Sequence, residues 1–402
     1  MILNNELTAR DIEPNPKIGL IYNLCLFLLC FTYSLSTIYI FSTNTTVNII
    51  NLAAQLISYP ILVMLTIDAG YSVKEYIIIF LVITIFLLEF YFNRSTSWLR
   101  YLLLILASRK VKFDDILRTL LISFSTIFLI GFFLYLMGIS DAGIGRRNGI
   151  SFGFIEPNTV SMIIITIIFL ILCLQKRLKV SSLVMILVTI IFLNIFTKTQ
   201  TAALVLILLP FLYLWVKRGI DKDKSFSKFI MKAFQILVMI FTCLLLYLYP
   251  QAIFNPFRNI VDGFFSYRPY LNYNNFVKYG LSLFGQKIDF FDTANLAYNY
   301  LTGSLSNQRY NTVDSAYVTQ LLTIGIITII PIYMAYIQLI KKAIKNKRYM
   351  LITVAILCSC YAFLENNYNE AYYFFPYFYL LSADVKSKSE EKDLVTRRFD
   401  NA

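Results

Sequence analysis

The sequence predicts an all-α membrane protein, a polytopic helix bundle of about twelve transmembrane helices with one large external loop. Hydrophobic residues make up 58% of its 402 residues, and the mean hydropathy of +0.66 exceeds that of soluble domains. Charged residues make up only 15% and lie mostly between apolar runs. The segment 250–314 is the one long hydrophilic stretch between such runs.

The apolar runs define the predicted spans, because a helix needs about 20 apolar residues to cross about 30 Å of hydrocarbon. In chain order the predicted spans are Ile18–Phe41, Ile49–Ile67, Tyr76–Phe92, Trp98–Ala107, Thr119–Gly138, Thr159–Leu174, Val180–Phe196, Thr201–Val216, Phe229–Tyr249, Ser315–Ile340, Tyr349–Leu364 and Ala371–Ala383. Trp98–Ala107 and Ala371–Ala383 are short enough to be re-entrant or tilted pieces, so the predicted count varies by about two.

Clusters of Lys and Arg in alternate connections predict the orientation. They lie at 109–118, 176–179, 217–232 and 341–348 and in the tail from Lys386. The positive-inside rule places them, with both termini, in the cytoplasm. This explains the net charge of +13 without a nucleic-acid partner. The predicted parts are N-terminal helices (1–249), an extracytoplasmic loop (250–314), C-terminal helices (315–385) and a disordered cytoplasmic tail (386–402).

The large loop is a predicted functional surface, since a turn between helices needs only a few residues. Its cationic side chains are Arg258, Arg268, Lys278, Lys287 and Arg309. Positive charge on the outer side opposes the usual bias and predicts an anionic partner. Pro269 is expected to hold the backbone of Arg268 extended. Tyr267 lies in a stretch rich in Tyr and Asn, which is typical of sugar binding and also of interfacial anchoring.

A second candidate is the segment 146–158, with two arginines, two glycines, a carboxylate and a Pro-Asn step just before a helix. Asn158 is a predicted N-cap of that helix. Helix N-termini favour anions, and arginine binds phosphate through a bidentate fork, so the segment is a candidate phosphate-binding turn. The alternative is a plain helix-entry turn whose arginines anchor lipid headgroups.

These motifs resemble those of Wzy-type polysaccharide polymerases and the related O-antigen ligases. The first is the segment 146–158 and the helix after it. The second is Phe-Thr-Lys-Thr-Gln-Thr-Ala at 196–202, and the third is Asn-Thr-Val-Asp-Ser-Ala-Tyr at 311–317, continuing to Gly325. The likeness covers most of the chain by topology. Glu156 stands where many relatives have His, and Gln200 stands where Arg is frequent, with Lys198 nearby.

The resemblance implies a GT-C-like fold in a bacterial plasma membrane and a reaction at its outer leaflet. A growing glycan would pass from undecaprenyl pyrophosphate to a sugar hydroxyl of a new undecaprenyl-pyrophosphate-linked oligosaccharide. Neither a cofactor nor a metal is implied. Membrane lipids, a chain-length regulator and a flippase are the other implied partners.

That reaction assigns roles to the candidate residues. Cations stabilise the departing diphosphate. The candidates are Arg146, Arg147, Arg258, Arg268 and Arg309, of which Arg147 and Arg268 are assigned a catalytic role. A carboxylate acts as general base. Glu156 and Asp314 are the first candidates for it, with Glu365 and Glu370 behind them, although Asp314 is equally a candidate helix N-cap. The candidate substrate-binding residues are Arg146, Asn158, Lys198, Gln200, Arg258, Tyr267, Arg309 and Tyr317.

Three other functions compete with the polymerase. An O-antigen-type ligase would share its fold. A flippase for lipid-linked oligosaccharides is expected to have short external loops and charges within many spans, the opposite of this pattern. A glycosyltransferase that uses polyprenyl-phosphate sugars usually has a large, acidic first external loop, whereas segment 42–48 is short and uncharged. The chain has no histidine, which excludes imidazole as a base or metal ligand in any of them.

Overall fold

The computed structural model describes residues 13–140, 149–251, 254–264, 268–288, 313–366 and 372–384. Every regular element in these residues is a helix. The α-helices are α1 (Pro16–Leu35), α2 (Thr45–Ile67), α3 (Val73–Asn93), α4 (Ser97–Ala107), α5 (Phe113–Leu136), α6 (Pro157–Gln175), α7 (Val180–Phe192), α8 (Gln200–Asp221), α9 (Ser225–Leu248), α10 (Asn255–Phe264), α11 (Arg268–Tyr279), α12 (Ala316–Thr319), α13 (Ile326–Lys345) and α14 (Tyr349–Leu364).

Within these residues, nine helical segments are long and apolar enough to cross a membrane, and they make the chain a multi-pass membrane protein. They are α1, α2, α3, α5, α6, α8, α9, α13 and α7 with the π-helical turn Leu193–Thr197 that extends it. They account for nine of the twelve predicted spans. The other three, Trp98–Ala107, Tyr349–Leu364 and Ala371–Ala383, are shorter segments, so the predicted count of twelve goes beyond what the helix lengths show.

Helix α14 is the buried centre of the bundle. Its sequence is apolar on all sides, and nearly every side chain from Met350 to Ala362 is buried. It packs against α8, α9, α13 and α6. A helix of this length spans only about 24 Å at 1.5 Å per residue. Because protein surrounds it, a uniformly apolar sequence is what its position requires.

The predicted span Ala371–Ala383 is not an α-helix over the described residues 372–384. It contains a 3₁₀ helix at Phe375–Leu380, and its side chains are almost all buried. The Lys342 ammonium group donates to the carbonyls of Tyr379 at 2.8 Å and Ser382 at 2.7 Å. Irregular backbone is tolerated at membrane depth where protein covers it and satisfies its polar groups.

The predicted span Ser315–Ile340 is not one helix either, because the helix is interrupted at Gly325. The π-helical turn Gln320–Ile324 ends there and α13 begins at Ile326. The loop after α11 enters the break, where Ile326 N donates to Ser282 O at 3.1 Å and Ile327 N to Leu283 O at 3.0 Å. A loop of the large hydrophilic segment thus satisfies the N–H groups that begin α13.

Gly325→Ala is expected to destabilise the protein more than any ordinary Gly→Ala change. Its φ of 88° and ψ of 155° are accessible essentially only to glycine, and a Cβ would lie 2.2 Å from Gly285 N. Gly280→Ala is the control, because its φ is 69° but no atom lies within 4 Å. We expect the control to lower the free energy of unfolding by about 1–2 kcal/mol. Equal thermal midpoints for the two purified variants would contradict the close packing at the break.

The bundle has two ends with different chemistry. At the Arg348 end, where α13 ends and α14 begins, Arg348 contacts Asp384 and lies 3.3 Å from Asp114. Lys176, just after α6, lies 3.0 Å from the same Asp114 carboxylate. Three of the basic connections, 109–118, 176–179 and 341–348, meet here. At the Glu365 end, where α14 ends, a smaller group of charged side chains comes together.

Candidate functional site

Arg268 holds the candidate site together at the Glu365 end. Its Nη2 lies 2.8 Å from Glu365 Oε1 and its Nη1 donates to Leu364 O at 2.5 Å. Its Nε lies 3.4 Å from Asp314 Oδ2. One guanidinium therefore joins α11 of the large loop, the residues just before α12 and the end of the central helix α14.

The local sequence explains how Arg268 reaches these partners. Arg268 begins α11, and Pro269 lies in the first turn, where a missing N–H leaves no hydrogen bond unmade. The expectation that Pro269 keeps Arg268 in extended backbone is therefore wrong. The Arg268 side chain is 17% exposed, so its charge is largely removed from water. The carboxylates beside it therefore have to compensate for the lost hydration.

Glu365 is the most deeply buried carboxylate of the group, with 7% of its surface exposed. Its pKa is raised to about 7. Burial is the main cause of the rise, the Arg268 charge opposes it, and the negative charges of Asp314 and Glu156 add to it. Desolvation dominates because the ionised form loses more hydration than one arginine replaces. Glu365 thus changes its protonation near neutral pH, as a general base must.

The segment 149–156 places Glu156 near Glu365. Ile150 N donates to Phe196 O at 2.8 Å, and Ile155 N donates to Thr37 O at 3.0 Å. A Cβ on Gly149 would lie 2.2 Å from Thr197 O, so only glycine allows this approach. Helix α6 begins at Pro157, which makes Glu156 the N-cap residue. The prediction that Asn158 caps the helix is wrong by two residues, and Asn158 is half-buried in the first turn.

Asp314 is half-buried beside Arg268. The N-cap position of α12 belongs to Ser315, so the alternative interpretation of Asp314 as the cap is wrong. Two sequence-predicted carboxylates, Glu156 and Asp314, therefore act electrostatically on a third, Glu365. From the sequence, Glu365 was only a second-rank candidate for the base. A single carboxylate directly after a fully apolar helix was the available signal.

Lys198 and Gln200 lie beside the segment 149–156, at the start of α8. Lys198 is exposed, with a left-handed φ of 52°. Under it, the hydroxyl of Ser161 lies 3.0 Å from that of Thr197 and 2.7 Å from that of Thr199. This buried hydroxyl group fixes the start of α8 against α6. It therefore holds Lys198 and Gln200 at the rim of the same end of the bundle.

Two predicted residues lie elsewhere. Tyr317 is 1% exposed and donates to Ser359 O at 3.2 Å, so it belongs to the core rather than to a surface that binds substrate. Arg258 donates to Tyr249 O at 2.7 Å in a separate cleft. Arg146, Arg147, Tyr267, Arg309 and Glu370 lie outside the described residues.

Comparison with protein-family models, curated proteins and solved structures finds no match to this chain. The site is therefore interpreted from its own chemistry. It consists of one guanidinium, a buried carboxyl group with a pKa near 7 and two further carboxylates, at one end of an apolar bundle. Such a group can accept a proton from a hydroxyl.

Proposed function

We propose that this chain is a metal-independent glycosyltransferase of the polymerase type, which joins lipid-linked oligosaccharide repeat units. The observation that carries the proposal is the buried Glu365, paired with Arg268 and raised in pKa by burial and by two neighbouring carboxylates. A carboxyl group poised near pH 7 is suited to activate an alcohol. The resemblance of the three motifs to Wzy-type polymerases supplies the substrate class.

In the proposed reaction, ionised Glu365 takes the proton from a sugar hydroxyl of the acceptor unit. The hydroxyl oxygen forms a bond to the anomeric carbon of the donor glycan. The bond from that carbon to undecaprenyl pyrophosphate breaks, and the diphosphate leaves with the electron pair. Arg268 holds the Glu365 carboxylate through Nη2 and the neighbouring Leu364 carbonyl through Nη1, and Asp314 contacts Arg268 at Nε.

The departing diphosphate needs cations that are not already paired with carboxylates. Arg268 is already paired with two carboxylates, Glu365 and Asp314, so it serves better to orient the base than to bind a further anion. Arg146, Arg147 and Arg309, which lie outside the described residues, stay the candidates from the sequence for the diphosphate, with Lys198 and Gln200 at the rim. This changes the role of Arg268 from that expected in the sequence analysis.

The same proposal sets the orientation in a bacterial plasma membrane. The Arg348 end gathers the basic connections and would face the cytoplasm, with both termini, by the positive-inside rule. The Glu365 end would face outward. A GT-C-like arrangement of about twelve crossings, in contact with membrane lipids, follows if the three short segments also cross. A flippase would deliver the repeat units, and a chain-length regulator would act on the product.

The function is tested by deleting the gene and by adding purified chain to the lipid-linked glycans of the deletion strain. The polymerase predicts that single repeat units accumulate on the outer leaflet and become polymer when the chain is supplied in liposomes. Accumulation of long lipid-linked polymer would instead indicate a ligase. Repeat units trapped on the cytoplasmic leaflet would indicate a flippase, and either result would overturn the proposal.

A further inference from the structure

A second cleft lies between the end of α9 and the two helices of the large loop. It encloses about 490 Å³, within the range of roughly 300–1,000 Å³ found for small-molecule sites. Its lining includes Tyr249, Arg258, Asp262, Tyr270, Tyr273 and Asn274. The rings of Tyr249 and Tyr273 lie 5.3 Å apart and form an aromatic wall.

Two charged side chains that line this cleft each have a polar atom without a hydrogen-bond partner among the described residues. Asp262 is 6% exposed, and its Oδ2 accepts from Tyr249 Oη at 2.7 Å. Its Oδ1 is buried and has no hydrogen-bond partner among the described residues, as is also true of Arg258 Nε. Leaving a buried polar group without a hydrogen bond is destabilising. A molecule bound in the cleft that offers both a donor and an acceptor would pair with these two side chains.

Helix α11 connects this cleft to the Glu365 site. At about 100° per residue, Tyr273 and Asn274 lie on the opposite side of α11 from Arg268. Arg268 is bonded to Glu365, whereas Tyr270, Tyr273 and Asn274 line the cleft. A ligand held in the cleft therefore contacts the same helix that positions the base.

We infer that this cleft binds a pyranose ring of the glycan substrate. The inference rests on the proposed function for the identity of the glycan, and it names a sugar subsite that the Glu365 chemistry does not require. A sugar hydroxyl donates to the Asp262 carboxylate, and a hydroxyl oxygen accepts from the Arg258 guanidinium, both of which line the cleft. The C–H face of the ring packs on tyrosine.

The carboxylate of Asp262 decides between a sugar and a phosphate. Arg258 alone would suit either ligand. An ionised carboxylate accepts hydrogen bonds and cannot donate them, so Asp262 repels a phosphate and favours a molecule rich in hydroxyl groups. Asn274 both donates and accepts, which again fits hydroxyls.

The test is sugar binding by the purified full chain in lipid nanodiscs, since glycoside detergents would compete. Saturation-transfer NMR with methyl glucoside, methyl galactoside and N-acetylglucosamine is expected to detect binding of at least one of them. Asp262→Asn should weaken that affinity about tenfold or more, because a charge-assisted hydrogen bond is lost. Tyr270→Leu should also weaken it, whereas Tyr270→Phe keeps the ring and should retain it.

Asp223→Asn is the control, because it removes a carboxylate from the exposed turn between α8 and α9, away from both sites, and should leave sugar affinity unchanged. Tyr270 is 48% exposed, so its variants test the cleft even if Asp262→Asn does not fold. Absence of binding by all three sugars, equal affinity in Tyr270→Leu, or displacement of the sugar by inorganic pyrophosphate would overturn the inference. A wild-type chain that binds sugar at this cleft but never polymerises repeat units would overturn the proposed function alone.

Discussion

Glu365→Gln is expected to reduce glycan transfer by roughly 10²–10⁴-fold, the contribution of a positioned general base. Glutamine keeps the size of the side chain and its contacts with Arg268, but it cannot accept the acceptor proton. The measurement is the rate of polymer formation by equal amounts of purified protein in liposomes. Asp223→Asn removes a carboxylate from the exposed turn between α8 and α9 and should leave the rate unchanged.

The rate of transfer is expected to increase with pH. Glu365 must be ionised to act, and its pKa is raised to about 7 by burial. Transfer should therefore rise roughly tenfold per pH unit below pH 7 and level off above it. Glu156→Gln removes one of the charges that raise this pKa, so its midpoint should move to lower pH while the plateau is retained. If Glu156→Gln abolished transfer while Glu365→Gln kept the wild-type rate, the general base would be Glu156 instead.

The second large effect is expected for Arg268→Lys. Lysine keeps the positive charge but is a point donor, and it cannot contact Glu365, Leu364 O and Asp314 in the fixed geometry of the fork. A misplacement of about 1 Å at such a site reduces the rate by about 100-fold. We expect a loss of that size in the plateau rate, with the pH midpoint still near 7 because the charge remains.

Arg268→Gln separates orientation from charge. Without a cation, the pKa of Glu365 should rise, so the midpoint of the pH profile should move above 7. Arg177→Lys, on the exposed connection after α6, is the matched control and should change neither quantity. Full activity of Arg268→Lys at a normal protein level would show that Arg268 has no positioning role.

Much of the helical framework follows from the sequence. Apolar runs of nearly 20 residues have few alternatives, since backbone in hydrocarbon must satisfy its own hydrogen bonds. Prediction and structure agree on the bounds of Tyr349–Leu364, and α4 begins one residue before the predicted Trp98. The sequence failed at Ser315–Ile340 and Ala371–Ala383. Both segments are apolar enough to be predicted as helices, but part of their backbone is irregular. Neighbouring segments, rather than the same helix, supply its hydrogen-bond partners.

The candidate site was predictable only in part. Arg268 and Asp314 were both singled out, as were residues at the entrance to α6. Glu365, which pairs with Arg268, was not ranked first among the candidate bases, because it lies 97 residues from Arg268 in the chain. Arg258 and Arg268 were grouped as one cationic surface, but α11 places Arg268 and the lining of the second cleft on opposite sides.

The amino-acid sequence by itself determined that this chain is a helical, multi-pass membrane protein, because hydrophobicity and helix length are local properties that add along the chain. Only the tertiary structure decided which carboxyl group loses its water and which arginine lies beside it. A pKa depends on burial and on charges brought from distant segments, and no local pattern records either. The same holds for Asp262 Oδ1, which has no hydrogen-bond partner within the described part of the chain and whose surroundings come from three different helices.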